Sequence, residues 1–209
     1  MKKTAVLLCV LCALAATVSC EKADKSMSNV AEMDYVNAVE AIIPTEKGFP
    51  VMCESLEEMI STSKCNLIIR GKIADRGECE TDGTHVTTPY TVVVNECFLG
   101  DFEVGGIFVI DAPYGIAENV KFRAEPHPIL RTGEEYIMFL RRDEIDGEMY
   151  YYLANRISGA LRIDDDGLTN DTEGNCFSDS YGGDLDAFIG ELKFVVESGS
   201  FDTSYDIIG

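Results

Sequence analysis

Two histidines, His85 and His127, are the only imidazoles in the chain. They are therefore the side chains best suited to general acid–base work near neutral pH. Catalysis by Ser or Cys needs such a base within hydrogen-bond reach and a third group to orient it. No G-x-S-x-G elbow is present. His85 stands in a polar stretch and His127 in the stiff segment Pro126-His127-Pro128, so both read as loop residues. Holding zinc or copper would require a carboxylate to join them, and no H-x-x-x-H or H-E-x-x-H spacing exists. Asp164-Asp165-Asp166-Gly167, followed by Asp171 and Glu173, suggests calcium. An EF-hand loop sets acids at alternate positions before its Gly and a closing Glu after it. Glu173 fits the close, but Arg162 stands where the opening acid belongs, so the run reads as a hairpin turn. With 37 acidic residues, carboxylate pairs arise by chance and no glycosidase pair can be singled out. The expectation is no catalytic residue, no metal site and no cofactor.

Tyr150-Tyr151-Tyr152 alternates sides if it lies in a strand, which leaves at least one ring outward. An exposed tyrosine can anchor a protein or glycan partner, against the plainer reading of edge packing. Asn170-Asp171-Thr172 is formally a glycosylation sequon. The chain has 8 cysteines. Cys9 and Cys12 fall in the apolar N-terminal run, and Cys20 closes it. Cys53, Cys65, Cys79, Cys97 and Cys176 remain, an odd set whose pairing the sequence does not fix. No C-x-x-C pair exists to suggest a zinc cage or a thioredoxin-like redox site.

The N-terminus has its own grammar. Met1-Lys2-Lys3 is a short positive start, Ala5 to Val18 is apolar and uncharged, and Glu21, Lys22, Asp24 and Lys25 turn polar at once. That order reads as a secretory signal peptide over residues 1–19. The apolar run is shorter than the roughly 20 residues a membrane-spanning helix needs. Thr17-Val18-Ser19-Cys20 resembles the bacterial lipobox, with Thr17 where leucine is preferred. The resemblance implies cleavage before Cys20 and a lipid on its thiol. The alternative is ordinary cleavage after Ala15 or Ala16, which would give a secreted protein with Cys20 available for pairing. The expected location is the extracytoplasmic face of a membrane, held by the lipid. Residues 20–52 then form the attachment site and a tether, 53–198 a single domain, and 199–209 a tail.

The formal net charge of −20 becomes more negative once Lys2 and Lys3 leave with the signal. Such a surface repels phosphates and disfavours nucleic acid. It also disfavours docking on anionic lipid without a covalent anchor. Solubility is the plain reading of the charge; a surface for a cationic or basic partner is the sharper one.

The domain must position whatever does the work. Ser55 reads as a helix N-cap with Glu58 as its capping-box partner; Leu56, Met59 and Ile60 share a face, and a stop is expected near Ser63. Strands are expected at 67–74, 89–98, 106–111, 135–141 and 149–154, with a short sixth at 159–163. Asp146-Gly147 is a hairpin signal. Arg76–Thr88 and Ala112–Gly133 read as loops, and 33–52 is ambiguous between strand and helix. Asp184 opens a last helix carrying Leu185, Phe188, Ile189, Leu192, Phe194, Val195 and Val196, with Gly199 as its stop.

Three segments carry a likeness. Lys64-Cys65-Asn66-Leu67-Ile68-Ile69-Arg70-Gly71-Lys72-Ile73, then Tyr90-Thr91-Val92-Val93-Val94 running to Phe98-Leu99-Gly100, then Gly133-Glu134-Glu135-Tyr136-Ile137-Met138-Phe139-Leu140, follow the order of the netrin-like domains, which include the tissue inhibitors of metalloproteinases. The chain resembles that family, and its bacterial relatives, over roughly residues 55–165. The resemblance implies a mainly β fold with flanking helices: an OB-like, five-stranded antiparallel barrel. Inhibitory members chelate a protease zinc through an N-terminal Cys-x-Cys start. Here Lys22 stands where the second cysteine would follow Cys20, so that site is not carried over. The expected function is a membrane-tethered binding module without catalytic activity, for an unknown protein or glycan. The alternatives are an inhibitor of a secreted protease, acting through the barrel rim and loops 76–88 or 112–132, and, last, a metal-dependent enzyme.

Overall fold

The computed structural model describes residues 39–42 as backbone, and 53, 55–81, 85–117, 120–123, 127–155, 157–165, 167–169, 181 and 183–201. The signal segment, Cys20, Cys176, the sequon at Asn170 and the acids Asp166, Asp171 and Glu173 lie outside the described residues. Among the described residues, no helix is long and apolar enough to cross a membrane.

The fold is mainly β. Its centre is β2 (Leu67–Arg76), which has buried residues on both faces. On one side β2 pairs with β4 (Val86–Leu99) and on the other with β8 (Glu135–Ile145), antiparallel in both cases. β5 (Ile107–Ala112) lies beyond β4, and β9 (Glu148–Leu153) beyond the distal half of β8. The near half of β8 instead pairs with β10 (Ala160–Asp164), which turns back into β11 (Gly167–Thr169). The two-residue β3 (Glu80–Thr81) pairs with the start of β4. Four successive antiparallel pairings, from β5 through β4, β2 and β8 to β9, make β5 and β9 run in the same direction. These two end strands lie side by side, but no hydrogen-bond ladder joins them.

Turn chemistry fixes the hairpin between β8 and β9. Asp146 and Gly147 both have positive φ, +54° and +86°, as a two-residue turn matched to the strand twist requires. Glycine is needed for a different reason at Gly71, where β2 shifts register against β4. A Cβ there would stand 2.8 Å from Ile69 Cδ1 and 2.9 Å from Val92 Cγ1.

The sheet has apolar cores on both faces. Leu67, Ile69 and Ile73 of β2 and Tyr136, Met138 and Leu140 of β8 face one core, with Tyr90, Val92, Val94, Phe108 and Ile110. The alternate residues Ile68, Ile137 and Phe139 face the other core, which two helices cover. Helix α1 (Leu56–Thr62) contributes Leu56, Met59 and Ile60; Ser55 Oγ caps it by accepting from the Glu58 N–H at 3.2 Å. Helix α2 (Leu185–Ser198) contributes Phe188, Leu192 and Val195, opens on Asp184 and closes on Gly199 at φ +60°. Fully burying one such Leu or Phe side chain contributes about 1.5–3 kcal/mol, so the second core is a main support of the fold.

Several elements differ from expectation. The stretch read as a loop over Ala112–Gly133 contains a hairpin, β6 (Gly115–Ala117) with β7 (Val120–Arg123). β7 also pairs in parallel with β1 (Val39–Ile42), which falls inside residues 20–52. β3 stands inside the loop expected at Arg76–Thr88. Phe194, expected on the apolar face of the last helix, is 70% exposed. It lies between Lys193 and Val195 on a helix whose buried stripe is set by Phe188, Leu192 and Val195.

Candidate partner-binding surface

The residues read for catalysis or metal binding stand in different places. His85 is exposed just before β4, and His127 is half-buried in the extended strap 127–131 that leads to β8. Among the described residues no three His, Cys, Asp or Glu side chains gather closely enough to hold a metal. Asp164 and Gly167 pair where the antiparallel strands β10 and β11 meet. Asp164 accepts a hydrogen bond from Thr169 Oγ1 at 2.6 Å.

No disulfide joins two of the described cysteines. Cys65 is buried under α1, and burial pushes its thiol pKa up to about 12, which keeps it protonated. Cys53 Sγ lies 3.6 Å from Thr62 Oγ1 and 3.8 Å from Asn155 Nδ2. Cys97 Sγ donates to the Leu99 carbonyl at 3.4 Å. These contacts describe packed thiols, not nucleophiles held beside a base.

The strap is pinned by two tyrosines. Tyr114 Oη donates to the Pro128 carbonyl at 3.0 Å and accepts from the Leu130 N–H at 2.7 Å. Tyr136 Oη accepts from the Arg131 N–H at 3.0 Å. The strap is thus clamped to the core.

The tyrosine run separates as a strand must. Tyr151 points inward, its ring 4.6 Å from Phe108 and 5.9 Å from Phe102. Tyr152 lies under the Arg141 guanidinium, 5.7 Å from its ring centroid. Tyr150 is the outward ring, 39% exposed, with its hydroxyl 3.1 Å from Glu148 Oε2.

Tyr150 does not stand alone. Along β5 the burial alternates, so Phe108, Ile110 and Ala112 turn inward while Ile107, Val109 and Asp111 turn outward. Ile107 is 64% and Val109 45% exposed. β5 and β9 run in the same direction, and Phe108 near the start of β5 packs on Tyr151 in the middle of β9. Val104, in the turn before β5, is 73% exposed, and Ile145, at the end of β8, is exposed as well. Arg142 of β8 forms an ion pair with Asp101, tying that turn to the β8–β9 hairpin. The seam is therefore sealed on the inside by the Phe102, Phe108 and Tyr151 rings and carries exposed apolar side chains on the outside.

The border of this surface is acidic. Glu103, Asp111, Asp146 and Glu148 surround it, and Asp143 is already engaged by Arg141 at 2.8 Å. The surface around Asp111 dries its carboxyl enough to raise its pKa above the ordinary aspartate value. The Tyr150 hydroxyl pKa is raised first by its hydrogen bond to Glu148, then by the charges of Glu148 and Asp111. The run of three tyrosines announced an outward ring without saying which one. The β5 residues were not singled out, although Gly106-Ile107-Phe108-Val109-Ile110 held the signal: a strand apolar at every position must have both faces covered or expose one.

Compared with known proteins, the sequence matches no family model and no curated protein.

Proposed function

We propose that this protein is an extracytoplasmic binding module, tethered through a lipid on Cys20, with an OB-like, netrin-like barrel and no catalytic activity. The observation that carries the binding reading is that Ile107, Val109, Ile145 and Tyr150, on β5, the end of β8 and β9, are all exposed around the seam where β5 and β9 lie side by side. Isolated exposed apolar residues are ordinary, but a cluster bordered by polar groups marks an interaction site. Tyrosine is among the residues that most often dominate interface energy. The barrel reading is supported by the strand order β5-β4-β2-β8-β9 and by the aromatic contact of Phe108 with Tyr151 between its two end strands. The tether reading rests on the export signal and on Thr17-Val18-Ser19-Cys20.

The test is a photoreactive residue placed at Ile107 in one strain and at Glu197, on the exposed side of α2, in another. Irradiation of intact cells should give a discrete adduct from position 107 and none from 197. Adducts of equal yield from both, or from neither, would remove the surface from the account.

A further inference from the structure

We infer that the outer face of the β5–β9 seam takes an extended, Lys- or Arg-bearing segment of a basic partner protein, its apolar side chains on Ile107, Val109 and Tyr150. The inference rests on the proposed binding role of this surface and goes on to name what occupies it. Charge decides among the possible occupants. Glu103, Asp111, Asp146 and Glu148 border the apolar residues, and none of them has a cationic partner among the described residues. The two arginines nearby, Arg141 and Arg142, are engaged with Asp143 and Asp101. An anionic lipid surface is repelled by such a border. A second copy of a chain with net charge −20 would bring the same acids into opposition. A neutral glycan would leave the four carboxylates unanswered. A polypeptide with alternating cationic and apolar residues answers both features: carboxylates meet ammonium or guanidinium groups at the rim, and apolar side chains cover Ile107 and Val109.

The experiment titrates the isotope-labelled full chain, solubilised in detergent, with three synthetic peptides: alternating Lys-Val, alternating Glu-Val and alternating Lys-Ser. The Lys-Val peptide should shift the amide resonances of residues 103–111 and 145–150, and its affinity should fall by about tenfold between low and high salt, as rim charges are screened. The pair Asp111→Asn and Glu148→Gln should weaken it by about fivefold, while Ile107→Ser should remove the shifts with the protein still folded by circular dichroism. Equal binding of Glu-Val would overturn the basic-partner inference and leave the binding surface standing. Equal binding of Lys-Ser would reduce the effect to general charge attraction and overturn the inference as well. Rejection of all three peptides would overturn it, and the crosslinking result at Ile107 would then decide separately whether the surface binds anything. Line broadening at the same residues without peptide, growing with protein concentration, would place a second copy there and refute the inference.

Discussion

At the residue scale, stability depends on a few polar groups held among apolar ones. Tyr114→Phe would leave the buried Leu130 N–H and Pro128 carbonyl without their hydroxyl partner. That change should cost about 1–3 kcal/mol in urea unfolding. Glu135 is different in kind. Its pKa is lowered first by the hydrogen bond from Arg70, at 2.7 Å, and further by one from Asn95. A carboxyl whose folded pKa is depressed contributes stability that is fully present above its unfolded pKa and is lost as pH falls through the folded value. Unfolding midpoints measured down a pH series should therefore drop below the ordinary glutamate pKa, and Arg70→Ala should flatten that acid limb. If the limb survived in the variant, another group would be responsible. Cys65 gives a third test: a thiol buried and raised to about 12 should resist alkylation at mildly alkaline pH in the folded protein and react only after unfolding.

At the scale of elements, the helices were the most legible parts of the sequence. Ser55 with the Leu56, Met59, Ile60 face, and Asp184 with the Phe188, Leu192, Val195 stripe, are local signals, and the structure realises both caps and both faces. The centres of β2, β4, β5, β8 and β9 were legible for the same reason, since each is a β-rich run between turn residues. What sequence reading missed depends on distant partners. β7 was not expected at all, and β1 lies where the sequence left strand and helix open; their parallel pairing has no local signature. Arg142, Asp143 and Glu144 are polar and fall beyond the strand expected at 135–141, yet β8 continues through them to Ile145 because β9 folds back on it. Phe194 shows the limit of periodicity: the apolar count at helical spacing was right, but only packing tells which apolar residue is left outside. Leu192→Ala, which empties a site in the helix-covered core, should cost about 2–4 kcal/mol, whereas Phe194→Ser should stay within about 0.5 kcal/mol of the parent. Thermal unfolding of the two variants side by side checks the assignment.

At the scale of the whole molecule, the described sheet carries an apolar core on each face. One face packs its own alternating side chains together and the other is covered by α1 and α2. The outside of the seam is different: β5 and β9 meet without a ladder, and neither described helix packs on them. In the sequence this difference was half visible. The tyrosine run announced an outward ring, but the fully apolar β5 hid which of its residues would be exposed, because that depends on register against β4. The acid-rich composition, read first as solubility, gains a local meaning at this border, where Glu103, Asp111, Asp146 and Glu148, none of them ion-paired among the described residues, stand near exposed apolar side chains. A surface kept for a partner and not for folding separates two quantities that normally move together.

The most direct measurement compares the Ile107→Ser/Tyr150→Ala variant with the parent protein for urea-unfolding midpoint and for adduct yield from a photoreactive residue at Val109 in intact cells. The account predicts a stability change within about 1 kcal/mol and loss of the adduct. A large drop in stability with the adduct retained would show that these side chains serve the fold and that the partner, if any, binds elsewhere.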